Sequence, residues 1–171
     1  MGLNAYLEWE CSQEGMMSRA FVKETDDIAE VQAPERTISS APNYVTKRGA
    51  ALIDAEVDRL TELFNAASDE EGEALQPELR YWENRRASMQ IIEREPGDDV
   101  VGMGMEVTIE RNKEQETIRI VGEDEADPKT GYIAWTSPLA RALEDSGPGD
   151  TAEFEAGGRV HEIRILAAKP I

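Results

Sequence analysis

Ser137-Pro138, closed off by Gly147-Pro148-Gly149-Asp150, is the feature that most limits what this chain can fold into. A proline at the first helical position gives up no hydrogen bond and has its φ preset, and a serine before it supplies the cap, so a helix is expected to start there. The Gly-Pro-Gly turn stops it early, leaving a short helix with Leu139 and Leu143 as its apolar face. Upstream, Thr117 to Val121 alternates with Ile118 and Ile120 on one side, as a half-buried strand does. Asp127-Pro128-Lys129-Thr130-Gly131 then brings turn chemistry, and Tyr132 to Thr136 is extended again. The flanks continue the pattern. Met105, Val107 and Ile109 alternate with polar residues, Asn112-Lys113 suggests a tight turn, and short strands are expected around Thr151 to Glu155 and from His161 to Leu166, separated by a turn at Gly157-Gly158. About five antiparallel strands and one short helix make residues 96–171 an α+β domain.

Within this domain Ile120-Val121-Gly122, Asp124-Glu125-Ala126-Asp127-Pro128, Gly131-Tyr132-Ile133, Ser137-Pro138-Leu139-Ala140-Arg141-Ala142-Leu143 and Gly149-Asp150 together resemble the C-terminal domain of the bacterial transcript-cleavage factors, the GreA/GreB family. Asn43-Tyr44-Val45-Thr46 resembles it less closely, and nothing before that does. The resemblance implies an FKBP-like fold for the domain, which periodicity alone would not identify. It also implies binding to bacterial RNA polymerase at the rim of the secondary channel, with Asp124, Glu125, Asp127, Pro128, Ser137, Pro138 and Arg141 on or near the docking face. Read from the residues alone, Ser137 is a helix cap and Pro128 a turn former; both readings hold together, because a rigid loop makes a good docking surface.

Ahead of the domain the period changes from two to that of a helix. Thr46 is a plausible N-cap, and Ile53, Val57, Leu60 and Phe64 recur along one face. The spacing returns as Leu75, Leu79, Trp82, Met89 and, less regularly, Ile92, interrupted at Arg86 where an apolar residue is expected. Between the two runs lies Ala67-Ser68-Asp69-Glu70-Glu71-Gly72-Glu73, read as a loop with Gly72 available for the turn. Residues 44–95 are therefore expected to form an antiparallel helical hairpin, a short coiled coil with arms of about 20 residues and a reach of about 30 Å. Trp82 reads as packing within it.

With 36 acidic against 18 basic side chains the formal charge is −18, shared evenly between residues 1–96 (20 acidic, 10 basic) and 97–171 (16 acidic, 8 basic). Such a surface repels phosphate backbones, so direct sequence-specific nucleic-acid binding is not expected, and a basic protein surface or a divalent cation is the natural partner. Cys11 is the one cysteine, which excludes an internal disulfide. No apolar run approaches the roughly 20 residues of a membrane span and no signal peptide is visible, so the expectation is a cytoplasmic monomer. Residues 1–43 lack periodicity and read as an extension or linker, with Met16-Met17 an alternative start. Asp124-Glu125-Ala126-Asp127 lacks the alternating ligands of a calcium loop. Gly102-Met103-Gly104 is too short for a phosphate loop, and His161 shares strand parity with Ile163 and Ile165 as an end-of-core residue.

The resemblance further implies that such hairpins enter the secondary channel, where two tip acids help hold the catalytic Mg²⁺ of the polymerase. Carboxylate oxygens suit that ion, which activates water and stabilises charge on the phosphoryl group. The polymerase remains the enzyme; the chain itself is expected to be neither an enzyme nor the owner of a cofactor. Here Asp69, Glu70, Glu71 and Glu73 stand where such acids belong, with Glu70 and Glu73 at the family spacing. The Glu-Asn-Ala context of the family tip is missing, and the arms are short. The leading expectation is thus a polymerase-binding elongation regulator whose acidic tip changes access to the channel without strong cleavage stimulation. The alternatives are a true transcript-cleavage factor and an acidic interaction module with another basic partner.

Overall fold

A computed structural model describes residues 36–171 of the chain, all within one compact unit. Most of the expected N-terminal extension, with Cys11 and Met16-Met17, lies outside the described residues.

The hairpin forms as its periodicity dictates. Helix α1 (Lys47–Ala66) and helix α2 (Asp69–Ser88) are each 20 residues long. Thr46 caps α1, its hydroxyl accepting from the Gly49 amide at 3.1 Å. Ile53, Val57 and Leu60 are each 1 % exposed, while Phe64, nearest the tip, is 36 % exposed. The expected seven-residue loop is not there. Only Ala67 and Ser68 separate the helices, so Asp69, Glu70 and Glu71 form the first turn of α2 and Gly72 lies inside that helix, buried, and does not make a turn. Acidic side chains near a helix N-terminus meet the positive end of its dipole, and this favours starting α2 early. Pro77 sits in the middle of α2, where it removes one amide donor from the ladder. The stripe of α2 also differs by one position: Arg85, not Arg86, occupies its buried face.

At the base of the hairpin, β1 (Tyr44–Val45) pairs in parallel with β2 (Gln90–Ile91), binding the start of α1 to the end of α2. A small cluster of Val45, Ala50 and Ile53, with Trp82 and Met89 packed on it, fills this base. Trp82 is therefore a packing residue, as expected.

The domain is a five-stranded sheet in the order β5-β4-β3-β7-β6, built from β3 (Met105–Arg111), β4 (Glu114–Val121), β5 (Tyr132–Ala134), β6 (Thr151–Ala156) and β7 (Arg159–Pro170). Asn112 and Lys113, with φ of 55° and 69°, form the two-residue turn that joins β3 to β4 in the hand a hairpin prefers. A register shift at Thr108/Ile109 lets the long β7 bend along β3. Every pairing is antiparallel except β4 with β5, because the residues between these two strands carry the chain back to the same end. Helix α3 (Pro138–Leu143) begins at the Ser137 cap and lays Ala140 and Leu143 into a core of Met105, Val107, Ile109, Ile118, Ile120, Ile163 and Ile165. The other sheet face is polar. There the Lys169 ammonium and, next, the Arg119 guanidinium hold the Glu106 carboxyl below its usual range against the opposing effect of burial.

Two glycines should respond in opposite directions to alanine. In Gly72→Ala the new Cβ meets the Phe64 ring at an ordinary 3.6 Å, and the helix gains about 0.5–1 kcal/mol. In Gly122→Ala it lands 2.6 Å from the Tyr44 carbonyl oxygen, and the fold loses about 1–3 kcal/mol. Urea unfolding reads both; a destabilised Gly72→Ala would return Gly72 to a turn.

Candidate functional site

The tip acids do not act as one set. Glu71 reaches back to Ser68, its Oε2 accepting from the amide at 3.0 Å and from the hydroxyl at 2.9 Å. That backbone hydrogen bond, with the hydroxyl second, lowers the Glu71 pKa. Glu71 thus closes the helix start. Asp69, Glu70 and Glu73 are exposed. Glu70 and Glu73 are one helical turn apart on neighbouring positions. Asp69 and Glu73 border a shallow groove of about 360 Å³ with Phe64, Gly72 and Gln76 on its walls. The three free carboxylates therefore stand at the far end of the hairpin, about 30 Å along α1 from Thr46.

The residues expected to face a docking partner divide into two groups. Asp127, Pro128, Pro138 and Arg141 are exposed. Asp127 orders its own turn by accepting from the Lys129 amide at 3.2 Å and the Thr130 hydroxyl at 3.0 Å, and Pro128 opens a single 3₁₀ turn (Pro128–Thr130). Ser137 accepts from the Ala140 amide at 3.2 Å as the cap of α3. Asp124 and Glu125 turn inward instead, with side chains only 6 % and 1 % exposed, and apart from Gly122 and Arg36 the partners they grip belong to the hairpin. They are not surfaces available to another molecule in this arrangement.

Their geometry is a joint. Glu125 Oε1 accepts from the amides of Thr46 and Gly122, each at 2.9 Å, and Oε2 accepts from the Thr46 hydroxyl at 2.6 Å. Arg48 stands 3.8 Å from Oε2. Asp124 Oδ1 accepts from the Tyr81 hydroxyl at 2.6 Å, and Oδ2 accepts from Arg85 Nε. Arg85 Nη2 also lies 3.6 Å from Glu123. Asn43 donates its side-chain amide to the Arg85 carbonyl at 2.7 Å. Outside this, the Arg36 guanidinium covers the Tyr81 ring at 4.3 Å and stands 3.9 Å from Asp124.

Asn43, Tyr81 and Arg85 were not legible as joint residues from the sequence. One signal did exist: a charged side chain on the apolar stripe of a helix needs a buried partner. The Leu75, Leu79, Trp82 and Met89 spacing runs through position 85 or 86, and only the folded helix decides between them.

Residues 95–170 match the family model described as "Transcription elongation factor, GreA/GreB, C-term". A GreA transcription elongation factor of Methylococcus capsulatus is 36 % identical over 110 residues, covering 62 % of this chain and 69 % of that protein. One from Maricaulis maris is 33 % identical over 107 residues, covering 61 % and 68 %. A crystal structure of GreA factor homolog 1 of Thermus thermophilus aligns over 75 % of this chain and 99 % of its own at 20 % identity, with a TM-score of 0.37, and adds nothing to the sequence matches.

Two expectations test the joint. Glu125→Gln cannot accept from all three donors, and loss of a charge-assisted hydrogen bond should cost about 2 kcal/mol in urea unfolding. Stability unchanged from the parent would mean that the carboxylate is not needed. The Tyr81 hydroxyl is pushed up from 10.0 to about 12, by burial first and then by its bond to the Asp124 carboxylate. The folded state holds this proton longer than the unfolded chain does. Its contribution is therefore complete below pH 10.0 and is lost as pH rises towards about 12. Phenolate absorbance should show one tyrosine titrating last, and Tyr81→Phe should remove that step.

Proposed function

The chain belongs to the GreA/GreB family of transcription elongation factors, and on that premise we propose that it acts on bacterial RNA polymerase by a division of labour between its two parts. The C-terminal domain docks at the rim of the secondary channel, and the hairpin projects into the channel. The observation that carries this reading is the placement of Asp69, Glu70 and Glu73: three exposed carboxylates at the free end of a helical pair whose other end is fastened to the domain through Glu125 and Asp124. The docking face consists of Asp127, Pro128, Pro138 and Arg141, with Ser137 holding α3 in place beneath them. Both loops are internally braced, so little conformational freedom is lost on binding.

At the tip the acids meet basic channel walls and alter access to the channel. A formal charge of −18 favours approach to a basic surface, and the rate of encounter should fall steeply with salt. Strong cleavage stimulation is not part of this reading. Glu71 is committed to its helix cap, and a hairpin of about 30 Å carries its acids only that far from the domain.

Binding of the purified full chain to core polymerase at low salt, followed by a cleavage assay on backtracked elongation complexes, tests the proposal. Expected are binding that Arg141→Glu and Asp127→Lys weaken, altered elongation, and little transcript cleavage. Failure to bind core polymerase would remove the function altogether. Efficient cleavage abolished by Glu70→Ala or Glu73→Ala would replace the access-tuning role with direct assistance to the polymerase Mg²⁺.

A further inference from the structure

The hairpin and the domain do not share a hydrophobic core. The domain core contains no residue of α1 or α2, and the cluster at the hairpin base contains no residue of the five-stranded sheet. Among the described residues one aromatic ring pair crosses between them, Tyr44 on Trp135 with centroids 5.1 Å apart, and Arg48 of α1 lies over the Tyr132 ring of β5 at 4.4 Å. Apolar contact is non-directional, so a contact of this size leaves the angle between the two parts open. Hydrogen bonds and ion pairs are directional, and that is the chemistry concentrated at the joint.

Tyr81 and Arg85 are one turn apart on α2, and both bind the same carboxylate, one at each oxygen of Asp124. Two bonds from one rigid helix to the two oxygens of one carboxylate fix a direction as well as a distance. Arg85 is 2 % exposed, so in this arrangement carboxylates and not water satisfy its guanidinium, and removing them would leave a buried charge unpaired. The Glu125 bonds lie at the start of α1 and act as a pivot; the Asp124 bonds lie on the second arm and stop rotation about it.

We infer that Arg85, with Tyr81, is a positioning residue that sets the direction in which the hairpin leaves the domain, and hence where Asp69, Glu70 and Glu73 arrive when the domain is docked. The functional half rests on the polymerase reading above; the geometric half does not.

The experiment therefore has two arms. In a Cys11→Ser background, spin labels at Ala74→Cys near the tip and Glu153→Cys on β6 report the tip-to-domain distance by pulsed electron paramagnetic resonance. The parent should give one narrow distribution, with Tyr81→Phe broadening it and Arg85→Gln broadening it roughly twofold or more. Each variant is first checked for a cooperative thermal transition. If Arg85→Gln does not fold, Tyr81→Phe decides alone, because it deletes one hydroxyl and retains the Arg85 pair. A width equal to the parent in a folded variant overturns the inference.

In the second arm, affinity for core polymerase and the effect on elongation are measured for the same variants without labels. Affinity should stay within about threefold, since neither substitution removes a residue of the docking face and the Tyr81 and Arg85 side chains bind Asp124 and Glu123, not Asp127, Pro128, Pro138 or Arg141. The effect at saturation should fall about tenfold, because misplaced groups act poorly. Parallel loss of affinity and effect would overturn the positioning role. Failure of the parent to bind polymerase would remove the function and leave the distance result standing.

Discussion

The Glu125 carboxylate is the constraint on which the rest of the arrangement depends. It lies inside the protein, where an unsatisfied charge is costly, and it is satisfied by three donors from two segments: the Thr46 amide and hydroxyl at the start of α1 and the Gly122 amide after β4. Thr46 serves twice, capping its own helix through Gly49 while its hydroxyl proton goes to Glu125. The negative group also faces the positive end of the α1 dipole. Close approach then restricts the neighbours. A Cβ at Gly49 would lie 2.4 Å from Glu125 Oε1, and one at Gly122 would meet the Tyr44 carbonyl. An acid, a threonine and two glycines, drawn from two segments far apart in the chain, are thus constrained by one contact.

Around that contact the joint is polar where a larger interface would be oily. Replacing a buried ion pair by well-packed apolar side chains is often neutral for stability, so the Arg85–Asp124 pair is poorly explained as a source of stability alone. What it supplies that apolar packing does not is angular definition, with Tyr81 on the second oxygen and Glu123 beside the guanidinium. Arg36 closes the outside of the joint against the Tyr81 and Trp82 rings. A protein whose proposed action depends on delivering a few carboxylates to a distant point has reason to invest in angle.

The acidity of the chain is used in three physically different ways. Asp124 and Glu125 are internal fasteners, Glu71 completes a helix start, and Asp69, Glu70 and Glu73 remain in water at the tip. These residues are alike in composition and charge and are separated only by which donors surround them. Sequence pattern places all six in acidic runs and, apart from the Ser68-x-x-Glu71 spacing of a capping box, has no means of sorting them.

Local chemistry determined much of this protein from the sequence alone. The Ser137-Pro138 start, the Thr46 cap, the Asn112-Lys113 turn and the alternation of Met105, Val107 and Ile109 depend on neighbours a few residues away, and each element appears where those signals put it. The family resemblance was legible for the same reason, since its motifs are contiguous. Tertiary structure alone decided that Arg85 rather than Arg86 is buried, that β5 runs parallel to β4, and that Asp124 and Glu125 face inward. Each of these depends on partners remote in the chain, such as Asp124 for Arg85 or Thr46, seventy-nine positions before Glu125. A helical period of 3.6 residues leaves adjacent positions nearly equivalent, and a carboxylate in a loop turns towards whichever donors the fold brings to it.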